Sequence, residues 1–558
     1  MKKNSLLLAA SAAFSITFGS APALAQKLLP GDKPKLIVQV VIGQLRSDYL
    51  LRFKANLSDE GFKMLTTEGA FCQNARYTHL LTQTAPGLAT IATGAAPAHH
   101  GVPSDRWYDR SQNDMQEACY DPRVATVESG NDKLKKSPKH LLASTFGDEL
   151  KLLKKRSKVV GISMLPEEAI LLSGHNSNAA YWYDEMSGKF VSSSYYMEEL
   201  PQWVQEFNQK KFTDAYAIRS WEATLPATKY AANKKKKEAA AKNDEKNDEK
   251  NSEAAEAPAN LLLKAAVPPK NSRSAYATLH ETPYSDNLVK DFAISAIVSE
   301  NMGHNGATDM IAIYFGAMRS IANRYGALSV ELEDAFYRTD QNLKHLISFL
   351  TSHVGKENLL LVLTSDHGVN LSQPQLQEAN MPHGVFDHNK ALVLLRSYLN
   401  IAYGKGDWIK SFSQKQIFLN HTLIEDSNLR LSEVQERAAS FVLQFSGVAN
   451  AATAHVLSGA TFADGVMRYM QNSFFPKRSG DIIVNLEPGW TETSSTSAAN
   501  SAYSYDTHVP LVFYGWRVKR KSITAQVDMT DIAPTLSTLV GVPLPNAASG
   551  KVIAEIVE

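Results

Sequence analysis

Met310-Ile-Ala-Ile-Tyr-Phe315 and Leu359-Leu-Leu-Val-Leu-Thr364 are two short, almost unbroken apolar runs. Strands covered on both faces read as continuous apolar runs of this kind. Between them, from about Val330 to Val354, apolar residues recur at helical spacing: Leu332, Phe336, Leu343, Leu346 and Leu350 fall on one face. Strand, helix and strand in that order make a parallel pair joined by a right-handed crossover. A third run, Lys35-Leu-Ile-Val-Gln-Val-Val-Ile42, has the same character. The expected class is α/β, a largely parallel sheet flanked by helices, with smaller α/β segments inserted.

The rest of the chain fits around that core. Its 558 residues suffice for several domain-sized cores or for one large α/β core with insertions. Apolar residues at 44% and charged residues at 21% are ordinary for a globular protein. A formal net charge of +1 argues against a nucleic-acid binder, which would carry a strongly basic domain. Lys2 and Lys3, the apolar run Leu6 to Phe18 and Ala23-Leu24-Ala25 predict a signal peptide over 1–25, with Gln26 beginning the mature chain. That run is too short and too polar to span a membrane, and no later segment is apolar enough. No cysteine follows the cleavage site, which argues against a lipid anchor. The expected location is outside the cytoplasm, soluble and periplasmic.

Residues 233–258 are rich in Lys, Glu, Asn and Ala, with Lys-Asn-Asp-Glu repeated in tandem at 242–249. Such a segment cannot bury enough apolar surface to order itself and reads as a solvated insertion. A partner-recruiting tail or a short solvated helix are the other readings. Val434 to Asp481 reads as a smaller α/β appendage that opens with a helix from Val434 to Phe445 and leads into a strand from Ile482 to Leu486. The chain then returns to the main sheet at Pro510–Tyr514, and a last helix starts near Thr530-Asp531. The two cysteines, Cys72 and Cys119, suit a disulfide in an oxidising compartment or, alternatively, two buried thiols.

In open parallel sheets, ligands bind at the carboxyl ends of the strands. After 359–364 comes Ser365-Asp366-His367-Gly368, whose adjacent carboxylate and imidazole suit a metal ion as well as a plain turn. Thr84-Ala-Pro-Gly87 opens a helical stretch and puts Thr84 at a helix N-terminus, a place for an oxyanion or for a simple capping residue. Tyr505-Asp-Thr-His508 sets a histidine just before a buried strand.

Taken together these pieces resemble the alkaline-phosphatase superfamily, and most closely its PafA-type phosphatases. The resemblance runs through Gln44-Leu-Arg-Ser-Asp-Tyr49, Thr84-Ala-Pro-Gly87 with Thr93-Gly94 and His100-Gly101, and Ala180-Tyr-Trp-Tyr-Asp184. It continues through Arg478-Ser-Gly-Asp481, Glu487-Pro-Gly-Trp490 and Tyr505-Asp-Thr-His508. It implies two-step phosphoryl transfer, in which a threonine or serine attacks phosphorus and two zinc ions clamp the attacking and leaving oxygens. On that pattern Thr84 matches the nucleophile, and Asp366, His367 and His508 match zinc ligands.

Other matched positions depart from the pattern. Gly43 stands where the first strand should end in a zinc-binding aspartate. Arg319 and Asn323, in Arg319-Ser-Ile-Ala-Asn323, stand where the family has its Asp-x-x-x-His pair. Leu165 and Glu167 match the phosphate-binding lysine and arginine, and Asp105 matches an asparagine. The family's ligands carry three carboxylates; here the same positions carry one, Asp366, and a guanidinium, Arg319, and so balance without metal. Arg319 is therefore expected to occupy space left by metal and to pair with Asp366, Glu167 or Asp105. Losing even one electrostatic stabiliser costs about 2–4 kcal/mol of transition-state stabilisation. The expected function is a pseudoenzyme acting by binding or scaffolding, with an unnamed partner or a phosphate-ester ligand. The alternative is a residual phosphomonoesterase or phosphodiesterase that uses Thr84 and at most one zinc held by Asp366, His367 and His508.

Overall fold

Leu36–Ile42 forms a central strand of a ten-stranded sheet. The computed structural model describes residues 33–217, 219–231, 273–492 and 499–557; the expected signal peptide (1–25) and the charged segment 233–258 lie outside the described residues. Leu36–Ile42 pairs in parallel with Leu359–Thr364 on one side and Asp309–Phe315 on the other. Val159–Ile162 and Ala179–Asp184 extend the parallel array past Asp309–Phe315. Lys189–Ser193 and the short Thr126–Val127 then close that edge in antiparallel fashion. Beyond Leu359–Thr364 the order is His508–Gly515, Ala70–Arg76 and Lys521–Asp528. His508–Gly515 runs antiparallel to both of its neighbours, so the return of the chain at Pro510 enters the main sheet against the general direction.

The continuous apolar runs follow from two covered faces. Leu36, Val38, Val40 and Ile42 join one buried cluster, while Ile37 and Val41 join the other. The first face is covered by Phe62–Glu68, Tyr284–Ser299 and the 25-residue helix Val330–Val354. That long helix is capped by the Ser329 side chain, which accepts from Leu332 N–H, and it carries Glu331 and Glu333 in its first turn, where the helix dipole favours negative charge. The second face is covered by Thr84–Thr93, Phe146–Leu153, Pro166–Ser173 and Ile532–Val540. A helix does start near Thr530-Asp531, since Ile532–Val540 is entered through a 3₁₀ turn, Met529–Asp531, capped by Asp528, but it is not the last: Ala554–Val557 follows it. Among the described residues no helix is long and apolar enough to cross a membrane.

A second sheet is antiparallel throughout, in the order Ile409–Ser413, Gln416–Leu419, Ile482–Leu486, Val448–Thr453. It begins well before Val434, and its core also takes Leu395 and Leu399 from the helix His388–Tyr403. The helix expected at Val434–Phe445 is Leu431–Val442.

Cys72 and Cys119 are both free and both buried in the second-face core, which corrects the disulfide reading in favour of two thiols. Burial pushes the Cys72 thiol up to about 12 and the Cys119 thiol well above its ordinary value. A buried, protonated thiol is inert. In the native state neither cysteine is expected to react with an aromatic disulfide reagent at pH 8; both should react in denaturant without prior reduction. One native-state equivalent of released thiolate would contradict this.

Candidate active site

Three adjacent parallel strands end at one place. Leu36–Ile42 leads into Gly43-Gln44, Asp309–Phe315 into the helix Ala317–Tyr325, and Leu359–Thr364 into Ser365-Asp366-His367. The N-terminus of Thr84–Thr93 faces them. Gly87 permits that approach, because a Cβ there would run into the Asp366 carbonyl oxygen. The cleft that results has a volume of about 520 Å³, and its lining includes Gln44, Thr84, Asp105, Leu165, Arg319, Asn323, His367 and Asp506.

Asp366 is fully buried and held by protein donors. One carboxylate oxygen accepts from the backbone N–H of Gln44 and of His367, each at 2.9 Å. The other accepts from the Tyr314 hydroxyl at 2.8 Å. Burial and the neighbouring Asp366 hold the Tyr314 phenol well above its ordinary pKa, so it remains a donor. Tyr314 also explains Gly43: a Cβ built at position 43 runs into the Tyr314 hydroxyl and lies 3.0 Å from Arg319 Cβ. The space a longer side chain would need at Gly43 belongs to Tyr314.

Arg319 fills the centre. Its Nη2 lies 2.6 Å from Glu168 Oε1, its Nη1 donates to Thr84 Oγ1 at 3.0 Å, and its Cζ lies 5.5 Å from the Tyr314 ring centroid. The Arg319 side chain is 15% exposed and that of Glu168 only 1%. Burial drives the Glu168 carboxyl up to about 7 while Arg319 pulls it back. Arg319 therefore points into the site as expected, but its ion-pair partner is Glu168, not Asp366, Glu167 or Asp105.

The other expected positions sort by geometry. Glu167 turns away from the cleft, and its Oε1 lies 2.6 Å from Lys136 Nζ, which also binds Glu117 at 2.6 Å. Leu165 lines the cleft and its backbone N–H donates to Glu168 Oε2 at 3.3 Å. Asp105 accepts from Ala85 N–H at 2.7 Å, so a carboxylate of the chain itself already sits on the helix N-terminus. Burial raises the Asp105 pKa against that hydrogen bond. Asn323 accepts from Gln44 Nε2 at 3.2 Å.

His367 Nδ1 lies 2.7 Å from the Gly368 carbonyl oxygen and must donate to it. Its Nε2 lies 3.5 Å from both Thr84 Oγ1 and Asp366 Oδ2. His508 is not brought to this group. Its Nε2 bonds the Gln73 carbonyl at 2.8 Å, and it is absent from the cleft lining. Its neighbour Asp506 lines the cleft instead, accepts from Ser501 Oγ at 2.5 Å, and is pushed up to about 7 by burial.

These donors do not fit a pair of zinc ions. Among the described residues, no three His, Cys, Asp or Glu side chains gather to hold a metal. Beside Asp366 the Tyr314 phenol keeps its proton and donates to the carboxylate, and the Arg319 guanidinium has no lone pair to offer a metal. Tyr314, Glu168 and Asp506 are site residues that sequence reasoning missed. Tyr314 was legible only as part of an apolar strand, and the only sign of Glu168 is that a buried arginine requires a carboxylate.

Comparison with known proteins places this geometry among relatives. Residues 37–510 match the family model described as type I phosphodiesterase / nucleotide pyrophosphatase. The chain is 32% identical over 531 residues to alkaline phosphatase PhoV of Synechococcus elongatus, covering 94% of this chain and 93% of that one. It is 30% identical over 539 residues to alkaline phosphatase PafA of Elizabethkingia meningoseptica, covering 96% of each. The crystal structure of wild-type alkaline phosphatase PafA superposes with a TM-score of 0.83 at 29% identity, covering 94% of this chain and 99% of that one.

Proposed function

The chain belongs to the type I phosphodiesterase / nucleotide pyrophosphatase family, and from that premise we propose that it is a pseudophosphatase, a member whose cleft binds a ligand but does not run two-zinc phosphoryl transfer. One observation carries the reading: the Arg319 guanidinium lies between Thr84 and Glu168, bonded to the one and ion-paired with the other. A cation held there supplies internally the charge balance that metal would supply. The Asp105 carboxylate on the helix N-terminus supports the same reading, since it opposes a phosphate dianion at that place. The alternative of one residual zinc on Asp366, His367 and His508 has against it the turn of His508 toward Gln73. The first 25 residues support export to the periplasm.

Two measurements test the proposal. After dialysis against micromolar zinc, the purified protein is expected to hold well under one zinc per chain. Turnover of an aryl phosphate monoester and a diester is expected to be the same in wild type and Thr84→Ala. Two tightly bound zincs per chain, or phosphate release that depends on Thr84, would sink the reading.

A further inference from the structure

Three buried oxygen atoms of the cleft residues lack a donor. Gln44 Oε1, Asn500 Oδ1 and Asp506 Oδ1 have no hydrogen-bond partner among the described residues, although Gln44, Asn500 and Asp506 are only 5%, 7% and 1% exposed and all line the cleft. A buried acceptor left unmade carries its full desolvation cost, so each one calls for a reason. Two other cleft residues offer the complement. Asn370 commits its carbonyl oxygen to Leu371 N–H at 2.8 Å, and Gln414 commits its own to Gln83 Nε2 at 2.6 Å. What each has left for the cleft is its NH2 group. The backbone points the same way. Gln44, Gln414 and Asn500 have φ of 57°, 54° and 98°, in the left-handed region that side chains rarely adopt. Such strain is kept where the surrounding structure demands it, and ligand clamps are among those places.

We infer that the cleft is a binding site for a small uncharged saccharide. The orphaned oxygens need donors, and the spare NH2 groups need acceptors. An ammonium only donates and a phosphate dianion only accepts. A hydroxyl does both at one atom, and a sugar ring carries several hydroxyls at fixed spacing. Charge favours the same class. Cations and carboxylates line the cleft together, Arg319 and Lys415 against Asp105 and Glu492, so an ion of either sign meets like charge. These groups are also engaged within the chain: Arg319 by Glu168, Asp105 by Ala85 N–H, Lys415 Nζ by the Asn500 carbonyl oxygen, and Glu492 by Lys415 N–H. A neutral ligand leaves all four pairings intact. Trp490 and Tyr505, both partly buried, add apolar surface for the C–H faces of a ring. The volume of about 520 Å³ is of the size that encloses a whole small molecule.

The inference deepens the pseudophosphatase reading and rests on it, in that the cleft holds a bound ligand rather than two zinc ions. The test titrates the full chain, in chelator, with glucose, maltose and N-acetylglucosamine by isothermal calorimetry. At least one of them is expected to saturate with a Kd of about 1 mM or tighter. Asn500→Gly should weaken that binding about tenfold, the worth of one hydrogen bond. Without sugar, the same variant should unfold at or above the wild-type midpoint, because an unpartnered acceptor and a left-handed φ are relieved together. Gln44→Met should weaken sugar binding to a similar extent, so that failure of one variant to fold leaves the other. No saturation by any of the three sugars with a Kd of about 10 mM or tighter, or equal affinity in wild type and both variants, would overturn the inference and leave zinc stoichiometry and phosphate release to judge the pseudophosphatase reading. Saturable binding of spermidine, of inorganic phosphate or, without chelator, of calcium ion, with no binding of sugar, would likewise sink it. Sugar binding that appears only once two zincs are loaded would overturn both.

Discussion

Arg319→Ala is expected to cost the fold about 3–5 kcal/mol in urea denaturation at pH 8, the usual result of leaving one member of a buried ion pair alone. The partner left behind is Glu168, whose side chain is 1% exposed and lies 2.6 Å from the guanidinium in the wild type. The loss should depend on pH in a definite direction. Burial already holds the Glu168 carboxyl near 7 in the folded state, above the ordinary 4.5, with Arg319 present. Without Arg319 its folded pKa rises further. A carboxyl whose folded pKa exceeds its unfolded one contributes stability below the unfolded pKa and loses it as pH rises through the folded pKa. The deficit of the variant should therefore be largest above pH 7 and shrink toward pH 4–5, where Glu168 carries a proton. The double variant Arg319→Leu/Glu168→Leu should recover most of the loss, because no charge remains to be paired. A single variant as stable as wild type at pH 8 would show that the pair does not matter to the fold.

Gly43→Asp has the second-largest expected effect, and it is the substitution that would put back the carboxylate the family resemblance leads one to look for. It should destabilise by at least about 3 kcal/mol, from overpacking and from an added buried charge. Its Cβ runs into the Tyr314 hydroxyl, and Tyr314 cannot retreat without leaving Asp366 short of a donor. The new carboxylate would also stand near Asp366 and Glu168 with Arg319 already engaged. The midpoint of thermal unfolding should fall clearly, and zinc stoichiometry should not rise. A Gly43→Asp protein of wild-type stability that takes up zinc would refute this account of Tyr314.

The parts of this structure that repeat a simple rule were legible in the sequence. Leu36–Ile42, Asp309–Phe315 and Leu359–Thr364 are continuous apolar runs because both sheet faces are covered, and the helix Val330–Val354 keeps its spacing over 25 residues. The convergence of Thr84, Asp366, His367 and Arg319 followed from strand-end logic and the family pattern. Contacts that depend on a side chain's rotation were not legible. Glu167 and Glu168 are neighbours in one helical turn, and only packing decides that Glu167 meets Lys136 while Glu168 meets Arg319. His508 sits where the pattern places it, yet its ring turns to Gln73, and Asp506 lines the cleft in its stead. The second sheet starts earlier than the sequence suggests because Ile409–Ser413 is interrupted by Lys410 and Ser411 and Gln416–Leu419 is only four residues long.

The strand order has a consequence for synthesis. Among the described residues, Ala70–Arg76 pairs with His508–Gly515 and Lys521–Asp528 alone, and the bonded residues Gln73 and His508 are separated by 435 positions. A ribosome makes the chain from the amino end, so this early strand waits with both edges unpaired until almost the whole polypeptide exists. Closing so long a loop adds little to the equilibrium cost but delays native contacts. During that wait its unpaired backbone edges are a template for pairing with other chains. The helix Thr84–Thr93, which follows that strand, packs on the turn at Met529–Asp531 and on Ile532–Val540. The cleft therefore cannot be complete until the chain as far as Asp506 and the helix Ile532–Val540 has been made.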